Sequence, residues 1–347
     1  MSKIPEVALL LQKLVRIPSV NPSGDPGTPH IGERRIALFL KSHLHRMGAK
    51  VEMQHVEKGR PNVIARFKAR RRSKRAILLE SHTDTVSVLG MTIAPFGGEI
   101  RKGRVWGRGS CDTKGTMAAV LAALAAIVRS RQLPETTDLY FVGAMGEEAG
   151  NEGAIHLMKS GYFRKKGIKL EFAIATEPTD LKIVYKHKGA MWLRISCAGR
   201  AVHGSKPELG INAILKMQKA LEFITRRLPA IYRRYRDPEL GRPSFSVNII
   251  RGGSKVNIVP DSCEIELDHR ALPQEKSGEL VRLLSRNLPG FKVEIISSRA
   301  GLSTSKNDPH IRRLARVIRD SGRKGEVFEA AALLLKEQSE SLIPCEK

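Results

Sequence analysis

Three short apolar runs in the first half of the chain end in acids or a histidine, and a fourth acid stands just before a long apolar helix. Ala76–Leu79 runs into Glu80-Ser-His82-Thr-Asp84, Leu139–Ala144 into Met-Gly-Glu147-Glu148, and Phe172–Thr176 into Glu177-Pro-Thr. With Asn62–Phe67 these runs have the length and residue types of strands, and Thr116–Ser130 reads as a helix between them. Such alternation predicts an α/β domain with a largely parallel central sheet flanked by helices. In sheets of that kind ligands collect at the carboxyl ends of the strands, where these side chains fall.

Upstream, residues 5–16 and Arg34–Met47 read as amphipathic helices, the second with Ile36, Leu38, Leu40 and Leu44 as its apolar positions. The pattern changes after about residue 180. Ala190–Cys197, Ser246–Ile250 and Cys263–Leu267 read as strands and Asn212–Arg227 as a helix, which predicts a smaller α+β unit. Val293–Ile296 then leads into a helix opened by Asp308-Pro309. The expected division is a catalytic domain of residues 1–180 and 295–347 with a smaller domain, 181–294, inserted in it.

Composition narrows the class. The chain is 41% hydrophobic and 27% charged, as ordinary globular domains are, so a disordered or fibrous protein is excluded. Its longest apolar run, Met117–Val128, has 12 residues, short of the roughly 20 that a spanning helix needs. Glu6 interrupts the first apolar stretch, unlike a signal peptide's core, so a cytoplasmic location without a membrane partner is expected. Four scattered cysteines without a CxxC pair argue against a disulfide scaffold or zinc ribbon and for buried free thiols.

The balance of 60 basic to 35 acidic residues, a net +25, suggests acidic partners and keeps nucleic acid open as an alternative. The densest basic run, Lys68–Arg75, reads as a solvated hairpin tip between Asn62–Phe67 and Ala76–Leu79. No zinc-finger spacing, aromatic RNA-binding strand or basic zipper accompanies it.

Each acidic cluster has a bland reading beside the chemical one. His82 suits a metal ligand with Asp84 orienting its ring, or a hydrogen-bonded surface pair. Asp112 suits a carboxylate shared by two metals, or the N-cap of the following helix. Adjacent Glu147 and Glu148 after an apolar strand are costly unless a cation or proton neutralises one, which favours one ligand and one general base over a solvated loop. Together, one imidazole and several carboxylates at one sheet edge suit Zn²⁺, with Co²⁺ or Mn²⁺ as alternatives.

In order, HTDTV, WGRGSCDTKGT, GEEAGNEGA, ATEPT, AVHGS and GGSKVNIVPDSCEIELDHRALP resemble the signatures of one metallohydrolase family. It includes acetylornithine deacetylase, succinyl-diaminopimelate desuccinylase, aminoacylase and glutamate carboxypeptidase, and the agreement extends from about residue 5 to about residue 320. The resemblance implies two divalent metal ions, with His82 and Glu177 on one, Glu148 on the other and Asp112 bridging. It implies Glu147 as general base on metal-activated water and Asp84 as the acid behind His82. It further implies a homodimer whose inserted domain acts as a lid, His203 stabilising the oxyanion in the partner subunit's site, and Asn257 and Arg270 holding a substrate carboxylate.

The implied activity is removal of an acyl group from an N-acyl amino acid or diamino acid. A dipeptidase or carboxypeptidase on the same scaffold is the first alternative, and an impaired relative with nucleic-acid affinity the second. The family pattern also carries a metal-binding histidine in its last stretch, whereas no histidine follows His310 here. A second metal lacking one ligand is therefore expected, which either a truncated or frameshifted reading or a degenerate relative would explain. His187 and His269 are expected to be structural, Cys111 a packed small hydrophobe, and Trp106 and Trp192 core residues.

Overall fold

The computed structural model describes residues 4–322 and, as backbone, 328–331. The chain divides into two compact units, residues 1–180 and 181–347.

The first unit contains, in order, α1 (Glu6–Val15), α2 (Arg34–Arg46), β1 (Lys50–Glu57), β2 (Arg60–Phe67), β3 (Arg75–His82), β4 (Glu99–Arg101), β5 (Arg104–Trp106), α3 (Lys114–Arg129), β6 (Asp138–Ala144), α4 (Glu152–Lys159), α5 (Tyr162–Lys165) and β7 (Lys169–Ala175). Its main sheet has the order β1-β2-β6-β3-β7. β3 is parallel to both β6 and β7, while β2 is antiparallel to both β1 and β6. The α/β class holds and the sheet is mixed: its parallel part is the part that ends in the acids. All seven residues of β6 are buried, as a central strand covered on both faces requires.

α2 buries Ile36, Ala37, Leu40 and Leu44, which follow the helical period, whereas Leu38 falls on the other face and is 50% exposed. These residues pack with Leu14 of α1, Met117, Leu121 and Leu124 of α3, and Phe141 in one core cluster. Because β6 lies between β2 and β3, the basic run Lys68–Arg75 is a crossover and not the expected hairpin tip. The backbone amides of Arg70 and Arg71 bond to the carbonyls of Pro134 and Glu135, and both guanidinium groups pair with the Glu135 carboxylate.

The second unit contains β8 (Ile183–His187), β9 (Gly189–Ala198), α6 (Ala213–Glu222), α7 (Leu228–Ile231), β10 (Ser244–Gly252), β11 (Ser262–Ala271), α8 (Ser277–Asn287), β12 (Lys292–Arg299), β13 (Leu302–Ser303), α9 (Pro309–Asp320) and β14 (Phe328–Ala331). An antiparallel sheet, β10-β11-β9-β12, packs Leu193, Ile195, Ile265 and Leu267 against Met217, Leu280 and Leu284 of its helices. α6 continues into a π-helical turn, Phe223–Arg227, so the expected helix over Asn212–Arg227 is present with a change of pitch. β8 pairs with β13 and β14 in a separate three-stranded sheet. Asp308 caps α9 by accepting the amides of His310 and Ile311. Most of the stretch after His310 that departs from the family pattern, with Cys345, lies outside the described residues.

Among the described residues, no helix is long and apolar enough to cross a membrane.

Candidate metal centre

The centre is built on the carboxyl ends of β3, β6 and β7 and on the loop entering α3. His82 is the last residue of β3 and is 1% exposed. Its Nδ1 lies 3.0 Å from the carbonyl oxygen of Asp84, which can only accept, so Nδ1 carries a proton. That leaves Nε2 as the atom facing the cluster, 2.9 Å from Asp112 Oδ1 and 3.9 Å from Glu177 Oε2. The carboxylates around the ring favour its charged form. Burial works against that charge, yet Asp112, Asp84 and Glu177 outweigh it and hold the imidazole well above its ordinary value.

Ligand atoms of His82, Asp112 and Glu148 all lie within 4.8 Å of one another. Asp112 is not a helix cap: the N-cap of α3 is Thr113, which leaves the Asp112 carboxylate turned to the cluster. The Thr113 and Thr116 hydroxyls donate to the carbonyl of Thr176, at 2.5 and 2.8 Å, and so tie the start of α3 to the end of β7. Thr176 is itself bonded to β3 through the Glu80 carbonyl and the Ser81 hydroxyl. Asp112 and Glu177 are thereby carried to the same place from distant parts of the sequence.

Asp84 organises the other side. It accepts the Asn21 amide at 2.7 Å and the backbone amides of Glu147 and Glu148 at 2.9 and 3.0 Å. Burial pushes its carboxyl up, but His82, Asn21 and the Glu148 amide together hold it below the usual range. The loop also hangs on Asn62, which accepts the Met145 amide, and on Glu33, which accepts the Gly146 amide while bonded through both oxygens to Arg60 at 2.7 Å. Gly146 has φ +71°, a left-handed conformation that favours glycine, and a β-carbon there would also displace the Glu152 carboxylate. With the Asn151 amide turned to satisfy its hydrogen bonds, its nitrogen donates to Glu147 Oε1 at 2.8 Å.

Burial, followed by repulsion from Asp112 and Glu147 against the pull of His82, pushes both Glu148 and Glu177 up to about 8. A dication fits this donor set. One imidazole nitrogen and several carboxylates converge, and the acids carry more negative charge than one imidazolium neutralises.

Three further expected residues lie in the second unit. His203 is exposed, and its Nδ1 accepts the Ser205 amide at 3.2 Å, so Nε2 bears the proton and can donate. Asn257 is exposed on the neighbouring loop, its carbonyl accepting the Gly204 amide. Arg270, on β11, donates to Asp268 at 2.8 Å. His269 is structural as expected: stacked on Phe245 and bonded to Ser244 and Glu275. Cys111 is exposed and not packed. Trp192 is 41% exposed with its indole nitrogen bonded to Asp268, not a core residue.

The peptidase dimerisation domain of the M20 family matches residues 185–290, and the peptidase family M28 model matches residues 62–203. Acetylornithine deacetylase of Proteus mirabilis is 30% identical over 297 residues, covering 84% of this chain and 73% of that protein. The chain belongs to the M20 peptidase family. The M28 match stops at residue 203 and covers less than half of the chain, whereas the acetylornithine deacetylase covers 84% of it, which decides between the two. A probable succinyl-diaminopimelate desuccinylase of Staphylococcus aureus is 25% identical over 335 residues, covering 88% of this chain and 80% of its own. The fold is also that of an M20 metallo-carboxypeptidase from Sulfolobus solfataricus, with a TM-score of 0.74, 19% identity, and coverage of 95% of this chain and 86% of that one. As an M20 member the chain is a metal-dependent hydrolase of amide bonds.

Proposed function

We propose that this enzyme removes the acyl group from an N-acyl amino acid or diamino acid, with Glu147 as general base. The carrying observation is that one residue, Asp84, accepts the Glu147 and Glu148 backbone amides on its carboxylate and holds His82 Nδ1 on its own backbone carbonyl, with its carboxylate 3.5 Å from the ring. Base and ligands are thus one hydrogen-bonded unit. In this reading His82, Asp112, Glu148 and Glu177 would hold the divalent metal, with Zn²⁺ the best match to the donors.

The metal supplies Lewis acidity for the amide carbonyl and brings the pKa of water toward neutrality. Glu147 takes the proton of the attacking water and returns it to the departing amine. Asp84 keeps the Nδ1 proton of His82 in place, so that Nε2 is the ligand atom once its own proton is displaced. His203, whose Nε2 is a donor, is assigned to the developing oxyanion, and Asn257 and Arg270 to the substrate carboxylate. The relatives' names, an acetylornithine deacetylase and a probable succinyl-diaminopimelate desuccinylase, support an acyl amino acid as substrate. The dimerisation-domain match supports a homodimer.

The inserted-lid arrangement, with residues 181–294 interrupting a domain of 1–180 and 295–347, is part of the same proposal. Its support is that β8 pairs with β13 and β14, which brings together the chain on either side of the four-stranded sheet; β8 and the end of β12 at Arg299 would set the insert's limits nearer 188 and 299.

The test is amine release from a panel of N-acetyl and N-succinyl amino acids, diamino acids and dipeptides, before and after chelation and zinc return. Zinc-dependent hydrolysis of acyl amino acids is expected. Hydrolysis of dipeptides alone would replace the proposal with the peptidase reading.

A further inference from the structure

Cys197 and Cys263 stand directly opposite each other in the antiparallel pair β9–β11. Both sit at the inward-facing positions of their strands, in line with Ile195 and Ile265, so their side chains leave the sheet on the same face. Opposed residues of an antiparallel pair keep their Cα atoms about 4.5–5.5 Å apart, inside the range of about 4.4–6.8 Å that a disulfide spans. Both thiols are free, and the Cys197 Sγ makes a weak bond to the Ala213 carbonyl at 3.4 Å.

Although the two side chains are buried, they are reached from outside. Both line a cavity of about 600 Å³ whose walls include Arg251, Gly253, Gly290 and Lys292, all exposed residues. Burial pushes both thiols up, and each raises the barrier to spontaneous reaction by staying protonated. A pair so placed reacts slowly with a disulfide that enters the cavity, and the mixed disulfide is then resolved within the protein because the second thiol is already opposite the first.

We propose that Cys197 and Cys263 form a redox modification site, oxidised by low-molecular-weight disulfides to a disulfide joining β9 to β11. One thiol loses its proton and attacks a sulfur of the small disulfide, forming a mixed disulfide and releasing one small thiol. The other cysteine then attacks the protein sulfur of that mixed disulfide, closing the cross-strand bond and releasing the second small thiol. Two protein thiols are oxidised and one small disulfide is reduced to two thiols.

The experiment treats the full chain with oxidised glutathione, alkylates it in denaturant with N-ethylmaleimide and maps the tryptic peptides by mass spectrometry. The expected product is peptide 195–200 joined to peptide 256–270, two hydrogens lighter than the separate pair and split by dithiothreitol. In Cys197→Ser the expected product is glutathione held on Cys263. Alkylation of both cysteines in the native chain would overturn the proposal. So would glutathione on each without the cross-link, or linkage of either to Cys111.

Discussion

The Oδ1 of Asp84 accepts the backbone amide of Glu147 at 2.9 Å, so the acid that backs the candidate ligand His82 also fixes the candidate base. Asp84→Asn keeps the shape but replaces an oxygen acceptor with a donor that faces either the Glu147 amide or the Glu148 amide together with Asn21. Metal affinity is expected to fall about 10–100-fold, as for other residues that orient a ligating histidine. Zinc titration against a competing chelator checks this, and an unchanged affinity would remove Asp84 from the role.

Glu33, fully buried beneath the Gly146 turn, pairs with the partly exposed Arg60, which also bonds to Glu57. Burial raises the Glu33 carboxyl despite Arg60, so its partner cannot be removed cheaply. Arg60→Met is expected to lower stability by about 3 kcal/mol, the usual cost of stranding a buried charge. Urea denaturation measures it. A loss of about 0.5 kcal/mol, the scale of surface pairs, would show that the turn is held by other means.

Glu148 and Glu177, both near 8 without metal, are mostly protonated at pH 7. Metal binding there must displace protons, and His82 gives up one as well. Calorimetry in buffers of different ionisation enthalpy is expected to show more than one proton released per zinc at pH 7. Because the folded-state values lie above 4.5, the two groups stabilise the metal-free chain fully below that pH, and the contribution is lost as pH rises through about 8. Metal-free protein is therefore expected to melt lower at pH 8.5 than at pH 6. The reverse order would mean that these acids are ionised in the folded state.

Much of this candidate centre is legible because its residues follow apolar runs: His82, Glu147, Glu148 and Glu177 each stand at or just past the end of a strand. What holds them is not. Asn21, Glu33 and Asn62 come from other segments, and a buried polar residue leaves no periodic trace. Lys114, wholly buried with its amine on the Ile17 carbonyl, is equally invisible from spacing. The hairpin reading of Lys68–Arg75 failed for a related reason. Two strands adjacent in sequence look paired, and only the insertion of β6 between them shows otherwise.

That basic run also bears on the nucleic-acid alternative. Arg70 and Arg71 share Glu135, and Arg75 pairs with Glu171. Lys68, Arg72 and Lys74 remain for an anionic partner, which would give a log–log salt slope of about −3 on duplex DNA. Fluorescence anisotropy across salt concentrations measures it. A slope of about −6 or steeper would require a larger interface and return nucleic acid to consideration.

The most direct measurement compares Glu147→Gln with the native enzyme for both zinc content and hydrolysis of the best acyl amino acid. The expected result is a loss of several orders of magnitude in kcat, on the scale of about 10²–10⁴ or more for a lost general base, with zinc per chain unchanged. Turnover within a few-fold of native, with zinc retained, would contradict the account.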